Sequence, residues 1–368
     1  MSVQLPYGNF LTSEQIDIIN LPTNVDWVIN GGAGTGKTML AIYRAALMHD
    51  YKVLLLVSNR PLMMMINTIL TKKQYKHCAC NTYYNWLNSV YKGHFKLPYP
   101  RLERYEPDWN QVKLDFLKLG QIYDHIVIDD AQSLPRGFFN CIKQISKNIT
   151  CFMDANEAIA TGSTNDIKTI IESCIKSPFS LTKNFRNSIE IIEAADLFCD
   201  VKTISNCVFS NKKKPVLHEC FSIKDLLNKT CDIIEQNQNS SIGIILNNNS
   251  VRYWHNAIVG ELEGRGIYGL VEMYKPGFHN ISLDFTKDNV KIMSFGATKG
   301  LEFDIVLIPR FDRIKSCGDD IADRNRIYVA MTRAKEELHL FYITQSSSPN
   351  YIDTFSIINP NEQLFTWD

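Results

Sequence analysis

The sequence predicts an α/β protein with two mostly parallel sheets. Short β-branched runs alternate with helical patterns along the whole chain, the mark of βαβ units. At about 100 to 200 residues per domain, 368 residues make roughly two domains, each with its own core. A glycine-rich turn at residues 31–38 joins a strand-like run to a helical one, as a parallel βα junction requires.

Strands are expected at residues 27–30, 53–57, 125–129 and 149–153, then at 216–220, 242–246, 290–295, 304–308 and 338–343. Helices are expected at 39–49, with Leu40, Tyr43 and Leu47 on one face, and at 250–263, with Trp254, Ile258 and Leu262 facing the core and Ser250 as cap. Two strand sets imply two domains, 1–177 and 178–368. They divide near Ser177 and Pro178, where a helical stretch meets a residue that cannot continue it. Between Tyr91 and Trp109 neither period holds, and the segment reads as an excursion from the first sheet.

Lys and Arg total 39 and Asp and Glu total 39, so the formal charge is zero and bulk attraction to phosphate or anionic lipid is absent. A nucleic-acid partner must then be gripped in a local groove. A composition of 45% hydrophobic and 21% charged residues fits a folded domain and excludes intrinsic disorder. Apolar runs such as Val53–Val57 fall far short of the roughly 20 residues that span a bilayer. The N-terminus lacks a basic flank ahead of an apolar stretch, so neither membrane nor secretory targeting is expected. The ten cysteines form no paired CxxC elements and read as thiols of a reducing cytoplasm. His77, Cys78 and Cys80 have metal-ligand chemistry but no second ligand pair, and read as buried structure. Lysines at 72, 73 and 76 and at 212–214 read as solvated loops.

Gly31, Gly32, Ala33, Gly34, Thr35, Gly36, Lys37 and Thr38 fit GxxxxGK[ST]. Glycines let backbone N–H groups curl around phosphate oxygens, and the helix N-terminus that follows adds partial positive charge. Lys37 is then placed for the β- and γ-phosphates of ATP, and the Thr38 hydroxyl for Mg²⁺. Downstream, the apolar run Ile126, Val127, Ile128 ends in Asp129, Asp130, Ala131 and Gln132, where open α/β sheets bind ligands. Asp129 is expected in the Mg²⁺ shell and Asp130 is expected to orient or deprotonate the attacking water. A second glycine pattern, Gly264, Gly266 and Gly269, follows a helix and reads as its terminus, not as a dinucleotide site.

In order along the chain come LTSEQ at 11–15, the phosphate loop, LLLVSNRPL at 54–62, NTYY at 81–84, DDAQ at 129–132 and FMDANEAI at 152–159. NFR at 184–186, TKGLEFD at 298–304 and YVAMTRAKEEL at 328–338 complete the series. It resembles the motifs of superfamily 1 helicases of the UvrD/Rep type, over residues 11–343. The resemblance implies two RecA-like P-loop NTPase domains and an ATP- and Mg²⁺-dependent motor on single-stranded nucleic acid, with DNA the expected strand. The KGLEF form resembles the 3′ to 5′ branch.

By the same resemblance, Gln15 reads adenine, Gln132 joins Lys37, Asp129 and Asp130 in the catalytic set, and Glu302 meets the ribose. Arg186 and Arg333 reach the γ-phosphate, which suits a reaction dominated by positioning and charge stabilisation. Asn59, Arg60, Thr82, Tyr83 and Tyr84 are implied to touch the single strand, with Tyr83, Tyr84 and Trp86 offering stacking faces.

The chain departs from the pattern at Asp130, where Glu is usual, at Glu157, where Gln is usual, and at Gly296, where His is usual. NTYY ends at 84 and DDAQ begins at 129, and only residues 187–298 separate Arg186 from Lys299. The large accessory domains of bigger members have no place there, so the motor core alone is expected. The alternative from another class is an ATP-switched subunit that recruits or licenses a partner such as a nuclease, in repair or antiviral defence, prompted by Glu157 and Gly296. A small-molecule kinase would leave Arg186, TKGLEFD and YVAMTRAKEEL without a role.

Overall fold

The computed structural model describes residues 11–75, 77–103, 106–154, 178–199, 207–277, 283–343 and 350–368. The chain divides into two compact units after Thr182. The division expected after residue 177 falls earlier because Pro178–Leu181 is a strand of the first sheet, pairing Phe179 with Ile29 and Leu181 with Gly31.

The first unit holds β1 (Trp27–Gly31), β2 (Val53–Val57), β3 (Cys78–Thr82), β4 (Tyr123–Ile128), β5 (Ser146–Met153) and β6 (Pro178–Leu181). They form a six-stranded sheet in the order β3-β2-β4-β5-β1-β6, parallel at every pairing. Its helices are α1 (Ser13–Ile19), α2 (Lys37–Leu47), α3 (Arg60–Lys72), α4 (Tyr83–Val90), α5 (Trp109–Leu119) and α6 (Arg136–Ile142). β2 reads VLLLV and is buried at every position, as a strand covered on both faces must be.

On one side of this sheet Trp86 meets Phe116 and Phe138 edge to face, at 5.9 and 6.0 Å between ring centroids. The buried stripe of α2 includes Leu40, Ala41, Arg44 and Ala45, whereas Leu47, read on one face with Leu40, is 53% exposed. Arg44 takes the inner place because its guanidinium is satisfied there, donating to the Leu21 and Pro22 carbonyls at 2.8 and 3.0 Å and to the Thr150 hydroxyl at 2.9 Å. After α4, residues 91–95 form a π-helical turn, and Arg101 bridges Pro107 in antiparallel fashion.

The second unit holds β7 (Val216–Glu219), β8 (Ile242–Leu246), β9 (Val271–Tyr274), β10 (Val290–Ser294), β11 (Phe303–Ile308), β12 (Ala334–Tyr342) and β13 (Thr366–Trp367). Their order is β13-β7-β12-β11-β8-β10-β9, again parallel throughout. Helices α7 (Ile189–Ala195), α8 (Ile223–Gln236), α9 (Val251–Gly264) and α10 (Asp320–Met331) accompany it. Trp254, Ile258 and Leu262 of α9 are buried as expected. Ser250 does not cap it with its side chain, because Asn248–Ser250 is itself a 3₁₀ turn that runs into the helix. At the other end the N–H groups of Arg265 and Ile267 both donate to the Leu262 carbonyl, at 3.0 and 2.9 Å, so the glycine pattern there closes a helix.

Among the described residues no helix is long and apolar enough to cross a membrane, and no group of His, Cys, Asp or Glu is arranged to hold a metal ion. Cys78 and Cys80 are buried on β3. Lys72, Lys73 and the three lysines at 212–214 are exposed, and Lys76 lies outside the described residues.

Candidate nucleotide and nucleic-acid sites

The strand order β2-β4-β5-β1 makes neighbours of four C-terminal strand ends, and those ends carry Ser58, Asp129, Asp154 and the phosphate loop. Parallel sheets present their ligand sites on this edge. Gly34 and Gly36 have φ of 72° and 88°, left-handed values that admit glycine without strain and turn the backbone into the first turn of α2.

Gln15 braces this loop from α1. Its Oε1 accepts the Thr12 N–H at 3.1 Å in a capping box, and its Nε2 donates to the Thr35 carbonyl at 3.3 Å. A Cβ on Gly36 would stand 3.0 Å from that Nε2. The structure therefore brings Gln15 to the loop, with its amide occupied by backbone and not turned toward a base.

Lys37 bends back over the loop. Its Nζ donates to the carbonyls of Gly31 and Gly32, both at 2.7 Å, and lies 3.4 Å from Oδ2 of Asp154. Asp129 is fully buried, and neither of its carboxylate oxygens has a hydrogen-bond partner at normal bonding distance. Burial, then the charge of Asp130, pushes its pKa up, while the Thr38 hydroxyl and Lys37 pull it back. A buried carboxylate left in this state costs free energy that a divalent cation recovers. With the Thr38 hydroxyl beside it, the oxygen donor set fits Mg²⁺.

Asp130 follows in a left-handed conformation, and its Oδ2 accepts the Ser58 hydroxyl at 2.9 Å. Gln132 is buried, with Oε1 accepting the backbone N–H of Asp154 at 3.2 Å. The structure thus gathers Lys37, Thr38, Asp129, Asp130 and Gln132 on one edge of one sheet.

In the second unit, Arg186, Glu302 and Arg333 collect near the N-terminal ends of β11 and β12. Asn184 Oδ1 accepts the N–H groups of Arg186 and Asn187 at 2.9 and 3.2 Å, and Asn187 Nδ2 donates to the Thr332 and Ala334 carbonyls at 2.9 and 2.6 Å. That stitch joins NFR to MTRAK. Arg186 Nε donates to Glu302 Oε2 at 2.8 Å, so the carboxylate expected at a ribose is paired with an arginine. Arg333 is only 3% exposed, because the end of α10 captures it: Nε donates to the Val329 carbonyl at 2.8 Å and Nη2 to the Thr332 hydroxyl at 3.3 Å.

The expected strand contacts divide. Asn59 and Thr82 are helix caps, accepting the N–H of Leu62 at 2.9 Å and of Asn85 at 3.5 Å, and Arg60 opens α3 half-buried. Trp86 belongs to the core, and Tyr83 is buried against Phe138. Tyr84 is different: 41% exposed, its ring 3.9 Å from that of Tyr83, it lines a cavity of about 310 Å³ with Trp109, Glu103 and Glu106. Gly296 lies in the turn after β10 with open space where a side chain would stand. Glu157 and the rest of FMDANEAI beyond Asp154 lie outside the described residues.

The sequence reading missed a basic cavity of about 760 Å³ at the C-terminal ends of β8 and β11. Arg310, Arg313, Lys315 and Arg326 line it with Tyr253 and Tyr351. The Arg313 guanidinium sits 4.9 Å from the Tyr351 ring centre. Asn247 clamps the loop that bears the cations: Nδ2 donates to the Arg313 carbonyl at 2.9 Å and Oδ1 accepts the Lys315 N–H at 3.2 Å. Asp323 holds the far side, accepting the Cys317 N–H at 2.9 Å and Arg326 Nη1 at 3.0 Å. The available signal was the cation spacing in RFDRIKS, directly after a strand.

Residues 25–240 match the family described as Schlafen group 3, DNA/RNA helicase domain, and residues 270–345 match the UvrD-like helicase C-terminal domain. One similar solved structure is the C-terminal domain of a possible DNA helicase from Lactobacillus plantarum WCFS1. It is 19% identical with a TM-score of 0.35, covering 50% of this chain and 98% of that one. Comparison with curated proteins gives no match. The two family matches support the helicase reading and do not favour the interaction-subunit alternative or its nuclease partner.

Proposed function

The chain belongs to the Schlafen group 3 DNA/RNA helicase domain family, with UvrD-like superfamily 1 character in its C-terminal half, and on that premise we propose that it is a single-strand-stimulated ATPase that translocates 3′ to 5′. The observation that carries the reading is the buried Asp129 carboxylate, which lacks a hydrogen-bond partner at normal bonding distance and lies beside the Thr38 hydroxyl and Lys37, on the same sheet edge as a GxxxxGK[ST] loop. A purely structural aspartate would be hydrogen-bonded or replaced.

In this reading Lys37 meets the β- and γ-phosphates, and Thr38 and Asp129 hold Mg²⁺, which when bound neutralises phosphate oxygens. Asp130 takes the proton of the attacking water, its carboxylate oriented by Ser58. Arg186 and Arg333 supply positive charge to the transition state, an effect of roughly 10³ to 10⁵ in rate for arginines so used. To do so Arg186 must leave Glu302 and Arg333 must leave the Val329 carbonyl. We assign residues up to Thr182 and residues from Lys183 onward to the two motor domains. Four cations and two tyrosines around the second-unit cavity supply the local groove that a chain of zero net charge needs for a single strand.

The test is ATP hydrolysis measured side by side with no polymer, single-stranded DNA, duplex DNA and RNA. Stimulation by a single strand, lost in Lys37→Ala, is expected. A rate that no polymer changes overturns the translocase reading.

A further inference from the structure

We infer that Asp154 is a built-in competitor for the phosphate-binding lysine, holding Lys37 in the nucleotide-free chain and yielding it only when nucleotide displaces the carboxylate. The inference rests on the nucleotide reading above and adds to it a residue that sets nucleotide affinity. Strand pairing supplies the geometry. β5 lies beside β1 with Met153 opposite Asn30, so the next residue, Asp154, stands next to the start of the phosphate loop.

The lysine is fully engaged there. An ammonium has three hydrogens to donate. Lys37 spends two on the Gly31 and Gly32 carbonyls at 2.7 Å and directs the third to Asp154 Oδ2 at 3.4 Å. The two side chains are only 10% and 4% exposed, so water screens this pair little. Phosphate oxygens require the same hydrogens. An incoming γ-phosphate also brings negative charge against a buried carboxylate, and like charges at that range cannot share the site.

Asp154 is not free to drift aside. Its backbone N–H is held by Oε1 of Gln132, and Gln132 sits on the turn that carries Asp129 and Asp130. Displacing the carboxylate therefore loads the end of β5 and the DDAQ turn together. Asp154 acts through Lys37, as a positioning residue.

Asp154→Asn removes the charge while keeping the size and the backbone N–H. The experiment titrates the full chain with a fluorescent, non-hydrolysable ATP analogue and Mg²⁺, and melts the same proteins with and without it. Removing one opposed charge is expected to tighten binding about tenfold in Asp154→Asn, and Asp154→Glu is expected to stay within about twofold of wild type. Asp154→Asn should also melt lower without nucleotide and show the larger nucleotide-induced rise. In a Lys37→Gln background the Asn substitution should change affinity less than about twofold.

Equal or weaker binding by Asp154→Asn, or tightening that persists without Lys37, overturns the inference alone. A folded wild type that binds no nucleotide overturns the nucleotide reading and the inference with it. Should Asp154→Asn fail to fold, Asp154→Ser takes its place under the same expectations.

Discussion

The Ser58 hydroxyl donates to Oδ2 of Asp130 at 2.9 Å, so a side chain at the end of β2 orients a carboxylate at the end of β4. The two strands are paired, with Leu56 opposite Ile128, which brings their C-terminal ends together. Asp130 has φ 55° and ψ 45°, a left-handed conformation that costs about 1 to 3 kcal/mol for a residue with a side chain. Aspartate tolerates it better than most residues. Strain and hydrogen bond together fix an acid one methylene shorter than the family's usual Glu.

Asp130→Asn is therefore expected to lower the ATP hydrolysis rate by about 10² to 10⁴, with nucleotide affinity nearly unchanged. Ser58→Ala, which removes only the orienting bond, should cost about tenfold or less. Steady-state hydrolysis paired with equilibrium nucleotide binding separates these effects. Full activity in Asp130→Asn would move the base role to another group.

Two aromatic residues of α4 part company by exposure. Tyr84 presents a ring to a cavity, whereas Trp86 is packed among Phe116 and Phe138. Tyr84→Ala should weaken single-strand binding by about 1 to 3 kcal/mol and leave stability nearly alone. Trp86→Ala should cost about 3 to 5 kcal/mol of stability. Fluorescence anisotropy with a labelled single strand and urea unfolding read the two losses, and the reverse pattern would return Tyr84 to the core.

Lys315 and Arg313 test the second-unit cavity. Each is expected to meet a strand phosphate, so Lys315→Ala and Arg313→Ala should weaken binding to all sequences alike. Each should also make the plot of log affinity against log salt shallower by about 0.7 to 1. Sequence-selective loss, or an unchanged slope, would remove the phosphate role.

What could be read from sequence and what could not follows from where the chemistry lies along the chain. The phosphate loop is legible because its function is backbone curvature within consecutive residues, which Gly34 and Gly36 supply in left-handed conformations. β3 was not, because CACNT has no β-branched run, and its pairing with β2 makes it a strand. Asn59 and Thr82 are strand contacts by resemblance alone, and the structure adds that each caps the helix that follows it, a role that a polar side chain at such a junction does not advertise in sequence. The basic cavity draws on β8, the loop after β11 and α10, so no single motif could announce it. Arg186 and Arg333 stand out in their motifs, but the Asn187 stitch that joins those motifs spans the unit and leaves no local mark.

His125 gives the first unit an acid sensitivity that can be measured. The ring is fully buried on β4, with Nδ1 3.1 Å from the Thr23 carbonyl and Nε2 2.8 Å from the Thr150 hydroxyl. A neutral ring meets both partners: Nδ1–H donates to the carbonyl, and Nε2 accepts from the hydroxyl, which itself accepts from Arg44. Burial first, and then the charge of Arg44, holds its pKa down at about 3. In the unfolded chain it returns to about 6.5. Between those values the unfolded state binds the extra proton, so stability is full above about pH 6.5 and falls as pH drops, by about 1.4 kcal/mol per unit. Urea midpoints taken from pH 7 to 4.5 should show this slope in wild type, and His125→Gln should flatten it by about that amount. Parallel pH profiles for the two proteins would mean that His125 takes up its proton equally in the folded and unfolded chains, so that burial does not depress its pKa.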